Sequence, residues 1–185
     1  MTRYLLPLFL TLSGVVSAGG VEPINRNQPL YWVPGASEVF SVSADQIVTK
    51  AFTNALTLRS EGQRIQVFVT TGIISDDPGA SAINNIQAWV QSPTASPAQK
   101  QALIQVAQTY LRGCSLQVTP RQLAALVALK EADWTQGGWQ KRTVEGVTLG
   151  WSDGNGFGFS DGPQGRKPRA ALSVEWPVKT SRCQF

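Results

Sequence analysis

Residues 63–74 carry the clearest period of two in the chain. Ile65, Val67 and Val69 alternate with Arg64, Gln66, Phe68 and Thr70, which predicts a strand. Phe68 falls among the polar positions, so both faces of this strand are expected to be partly covered. Upstream, Glu38–Val42 reads as a short strand. Ser43 with Gln46 three residues later has the form of a capping box. Ile47, Ala51, Phe52 and Ala55 then recur on one helical face, so a helix is expected over 44–58. Ser75-Asp76-Asp77-Pro78-Gly79 predicts a turn. After it, Ser81 as cap with Ile83, Ile86 and Val90 at helical spacing predicts a short helix.

The strongest helical signals follow a break at 92–96. Ser96 precedes Pro97, the preferred first helical residue. Leu103, Val106, Ala107, Tyr110 and Leu111 then form an apolar stripe, with Gln99, Gln101, Gln105 and Gln108 mostly on the other side. Gly113 is the expected left-handed cap. Leu116–Val118 is a short extended link. Thr119-Pro120 opens a second helix whose Leu123, Leu126 and Val127 face inward.

After Trp134 helical periodicity stops and Gly and aromatics rise. Segments 140–144, 147–151, 157–160 and 171–176 read as strands of an antiparallel meander. Glu145-Gly146, Asp153-Gly154 and Asn155-Gly156 are its turn signals. The expected fold class is α+β: a helical layer on a mainly antiparallel sheet, with a C-terminal β-meander.

Residues 1–18 have the organisation of a secretory signal peptide: Arg3, an apolar run from Leu5 to Val16, and Val16-Ser17-Ala18 before Gly19. Twelve apolar residues fall short of the ~20 that a span requires, so the mature chain is expected to have no transmembrane span. Residues 19–37 read as an extended leader, pinned by Leu30, Tyr31, Trp32 and Val33. Residues 38–185 read as one domain, helix-rich over 43–133 and β-rich over 139–178. The expected destination is periplasmic or secreted. There, the two cysteines of the chain, Cys114 and Cys183, read as one disulfide.

Composition narrows the chemistry. The 185 residues include no His. Gly150-Trp151-Ser152-Asp153-Gly154 and Gly158-Phe159-Ser160-Asp161-Gly162 both match G-x-S-x-G. Both lack the imidazole that would take the serine proton, and the helix that follows a nucleophile elbow. They read as turns in which Ser and Asp bond the local backbone. A calcium loop starting at Asp153 puts Phe157 and Gln164 where ligand oxygens are needed. No phosphate loop is present, two cysteines without His make no zinc site, and no cofactor is expected. The remaining enzymatic route is a carboxylate pair acting on cell-wall or extracellular glycan. Neither Asp76 with Asp77 nor Glu131 with Asp133 is singled out by spacing.

Charge then favours recognition. Residues 100–185 hold 11 basic and 6 acidic side chains, against 4 and 6 in residues 19–99. Four of the six Trp lie between 134 and 176, among Lys141, Arg142, Arg166, Lys167 and Arg169. The candidate ligand-binding residues are therefore Trp151, Lys141, Arg142, Arg166, Lys167 and Arg169, with the basic stretch 164–169 as an exposed loop tip. The expected partners are an anionic glycan, a lipid headgroup or a protein; specific nucleic-acid binding is not expected. The reading is an exported, non-enzymatic binding domain, with a glycan hydrolase and a structural component of an envelope assembly as alternatives.

Overall fold

The structure, a computed structural model, describes residues 24–25, 32–45, 51–73, 83–128, 139–153, 169–177 and 183–184. Strand β1 (Ile24–Asn25) pairs in parallel with β9 (Cys183–Gln184). The other seven strands form one sheet: β2 (Ser37–Asp45), β3 (Ala51–Ser60), β4 (Gln63–Gly72), β5 (Asn85–Val90), β6 (Gln140–Val144), β7 (Val147–Ser152) and β8 (Ala170–Glu175). Their spatial order is β2-β3-β4-β5-β8-β7-β6, and every neighbouring pair is antiparallel. Helices α1 (Pro97–Gly113) and α2 (Pro120–Val127) lie between β5 and β6 in sequence. Helix α1 packs on β3, β4, β5 and β8, and α2 packs on β7. The architecture is α+β.

Two predicted helices are strands. Of segment 44–58, residues 44–45 end β2 and 51–58 belong to β3, and 83–90 contains β5. In β3 the deciding pattern is Leu56 and Leu58, both buried toward the helices, alternating with Thr57 and Arg59. Glu61 and Gly62 then take positive φ, 49° and 77°, as a two-residue hairpin loop of the type I′ form requires. Ser60 pairs with Gln63 across that loop. In β5 all six residues are buried, and a short run covered on both faces has no period that separates strand from helix.

The two helices begin where expected. Ser96 and Thr119 each accept from the backbone N–H three residues on, and Gln99 and Gln122 return the bond to the cap N–H. The end of α1 differs. Gly113 is the last helical residue, and the left-handed position is Ser115, with φ 63°. Leu116 N–H reaches the Leu111 carbonyl at 2.8 Å and Ser115 N–H the Arg112 carbonyl at 3.1 Å. This is a Schellman closure, and Leu116 packs against the main core.

The main core lies between the helices and one sheet face. Leu56, Val67, Ile86, Ala88, Leu149, Trp151, Leu172 and Val174 meet Leu103, Val106, Tyr110, Leu111, Leu123 and Leu126. The other face carries a smaller cluster of Ala55, Phe68, Trp89 and Ala171. Phe68 and Trp89 stack with centroids 4.3 Å apart and planes 12° apart. Among the described residues no helix is long and apolar enough to cross a membrane.

Cys114, at the α1 C-cap, is bonded to Cys183 with a Cα–Cα distance of 5.3 Å. The Cys183 carbonyl also accepts from Ile83 N–H at 2.8 Å. The bridge thus ties the end of α1 to β9 and to the entry of β5. Closing a loop of this length stabilises by about 4 kcal/mol in the chain-entropy model. The C114S/C183S double variant is expected to lose about 3–4 kcal/mol in denaturant unfolding, and reduced wild type to behave like it.

Candidate functional site

The first G-x-S-x-G copy is built into the scaffold. In β7, Trp151 stands opposite Leu172 of β8 and points into the main core, where it is 0% exposed. That register removes Trp151 as a platform for an external ligand. Ser152 alternates to the other face and is also fully buried; its Oγ has no hydrogen-bond partner among the described residues. Gly150 lies in close packing. A Cβ there would displace Ser173 Oγ and lie 3.1 Å from the Trp139 ring.

Asp153 is the busiest member. Its Oδ1 accepts from Ala95 N–H at 2.8 Å, and its Oδ2 lies 3.2 Å from Lys100 Nζ. Lys100 Nζ also donates to the Val127 carbonyl at 3.2 Å and sits 5.4 Å from the Trp151 ring centroid. One carboxylate and one ammonium therefore join the end of β7, the start of α1 and the end of α2. The second copy, 158–162, lies outside the described residues, as does the predicted strand 157–160.

The candidate cations are not gathered into one patch. Lys141 and Arg142 are exposed on β6, the outermost strand, opposite Gly150 and Leu149. Neither makes an ion pair among the described residues. Arg169 is buried on the sheet face away from the helices, its guanidinium carbon 3.8 Å from the Trp89 ring centroid. It is a stacking partner of the small cluster rather than a loop tip. Strand β6 lies three positions from β5, or about 14 Å at normal strand spacing. Arg166 and Lys167 lie outside the described residues.

Two grooves open on the described surface. One, of about 390 Å³, runs beside the start of β4, between Gln63–Gln66 and Gln91, Ser92 and Gln99. Near it Glu38 takes a left-handed φ of 56° at an irregularity in the β2–β3 register. Its carboxylate accepts from Arg64 Nη2 at 2.9 Å and from Thr57 Oγ1 at 3.0 Å. The Arg64 hydrogen bond, then that of Thr57, then the Arg64 charge hold Glu38 below the ordinary carboxylate range. The pair is therefore intact at neutral pH and is lost as pH falls through that lowered value.

The second groove, of about 460 Å³, lies between α1 and α2 and is lined by Gln101, Gln105, Gln108, Arg112 and Arg121, among others. Neither groove has a carboxylate among its lining residues. Gln101, Gln105 and Gln108 are among the residues the sequence places on the polar side of α1; Arg112, one turn further on, is added by the structure. What they face is not legible in the sequence, because Arg121 belongs to another helix. Among the described residues, no three His, Cys, Asp or Glu side chains form a metal cluster. No protein-family model matches the chain, and no curated protein or solved structure is detectably similar to it.

Asp153→Ala is expected to lower stability by about 1–2 kcal/mol, because it orphans the Ala95 N–H and leaves a largely buried Lys100 without its carboxylate. Ser152→Ala is expected to leave stability unchanged or slightly raised, since it removes a buried hydroxyl without a partner. Parallel urea melts of the two variants separate a stabilising Asp153 carboxylate from a dispensable Ser152 hydroxyl.

Proposed function

We propose that this chain is an exported domain that binds an anionic envelope or extracellular polymer. The Cys114–Cys183 bridge supports an oxidising compartment. The observation that carries the binding reading is the edge strand β6. Its Lys141 and Arg142 are exposed, sit on opposite sides of the strand and make no ion pair among the described residues. Unpaired cations at a rigid sheet edge attract polyanions and gain more from them than paired surface charges do. Lysine and arginine at an edge also repel accidental strand pairing. That role explains their presence on an edge but predicts no affinity for anions.

The test is retention of the mature protein on acidic glycan and on anionic lipid vesicles at low salt. Retention is expected to fall as salt rises. K141A/R142A is expected to weaken binding to vesicles roughly 10–30-fold, at about 1 kcal/mol for each basic residue near an anionic surface. Failure of wild type to bind either anionic surface at low salt removes the proposal.

A further inference from the structure

Helix α1 presents Gln101, Gln105, Gln108 and Arg112 at steps of four, three and four residues, so all four fall on one outward stripe. The stripe is about 16 Å long at 1.5 Å per residue. Pro120, Arg121 and Ala124 of α2 form the opposite wall of the 460 Å³ groove. Arg112 and Arg121 are both exposed and make no ion pair among the described residues.

Pro34 also lines this groove, and its carbonyl accepts from Gln105 Nε2 at 2.7 Å. The segment around Pro34 is held firmly. Val33 is buried in the main core, Ala36 N–H reaches the Val33 carbonyl at 3.1 Å, and Gly35 has φ 72°, which favours glycine. Trp32 immediately precedes Val33 and is 51% exposed, the exposed large hydrophobic side chain among the described residues. One residue separates it from Pro34, so its Cα lies within roughly 7 Å of that of Pro34. An exposed indole therefore precedes, by two positions in the chain, a residue that lines a groove of amides and guanidinium groups.

We infer that this groove is a binding site for an acidic glycan, a sugar chain carrying carboxylate or sulfate. The inference rests on the anionic-polymer reading and gives that polymer a chemical class and a location. Arginine forks match carboxylate and sulfate geometry with paired hydrogen bonds. Glutamine amides offer both donors and acceptors to hydroxyl groups. An indole offers an apolar plane with one polar edge. One cation on the stripe of neutral amides and one on the facing wall suit a chain with sparse charge and many hydroxyls. A nucleic acid, with a phosphate at each nucleotide, calls for a denser row of cations.

The experiment is calorimetric titration of the mature protein with a galacturonate hexasaccharide, a sulfated galactan fragment and a neutral galactan fragment of the same length. Tryptophan fluorescence is followed in parallel. One or both acidic fragments are expected to bind at least roughly tenfold more tightly than the neutral one. R112A/R121A is expected to remove that preference, and R121E to weaken acidic-fragment binding further by like-charge repulsion. W32F is expected to lose most of the ligand-induced fluorescence change. Melting curves matching wild type show that these exposed substitutions leave the fold intact.

If K141A/R142A abolishes acidic-fragment binding while R112A/R121A keeps it, the groove is overturned and the anionic-polymer reading stands. If wild type binds neither acidic fragment but is retained on anionic vesicles, the glycan site is overturned and the broader reading again survives. If it binds no anionic surface, both are overturned. Equal affinity for neutral and acidic fragments also overturns the assignment of Arg112 and Arg121.

Discussion

The pairing of β5 with β8 holds the two halves of this chain in one sheet. Six consecutive residue pairs, from Asn85 opposite Glu175 to Val90 opposite Ala170, join the strands formed before the helices to those formed after them. The main-core side chains of both strands, Ile86, Ala88 and Val90 with Ala170, Leu172 and Val174, point toward the helices. Helix α1 rests on both strands. A register slip of one residue here would turn every one of those side chains to the opposite face. It would also turn Trp89 away from Phe68 and Arg169.

Around that seam the polar groups serve docking. Asp153 and Lys100 fix β7 to the starts and ends of the helices, and the disulfide fixes the far end of α1. With both ends of α1 tied down, its outward stripe becomes a rigid wall. The same applies to the segment carrying Trp32, which is anchored by Val33 and Pro34. Rigid presentation lowers the ordering cost of binding. That is why a groove with two guanidinium groups merits attention as a binding surface.

Local signals in the sequence are legible where they act locally. Ser96-Pro97 with Gln99 and Thr119-Pro120 with Gln122 begin helices because their capping bonds close within one turn. Glu145-Gly146 makes the β6–β7 turn for the same reason. The cysteine pair was legible because the chain has only two. Elsewhere tertiary cover erases the period. Segment 44–58 has helical spacing at Ala51, Phe52 and Ala55, but Leu56 and Leu58 find a sheet partner in Val67 and Ile65. Trp151 and Arg169 gave the composition of a binding surface, while sheet register places one in the core and the other on Trp89. The α1–α2 groove is not legible in the sequence, since Pro34, Gln105, Arg112 and Arg121 meet only through the packing of separate elements.

The position of the two cysteines has a consequence for biogenesis. Their separation is 69 residues, and the second half of the sheet lies between them. As the chain emerges from its amino end, Cys114 waits until Cys183 has been made. A chain interrupted anywhere between them carries one thiol and can form no internal bridge. Formation of the bridge thus marks molecules whose β6, β7 and β8 have all been synthesised.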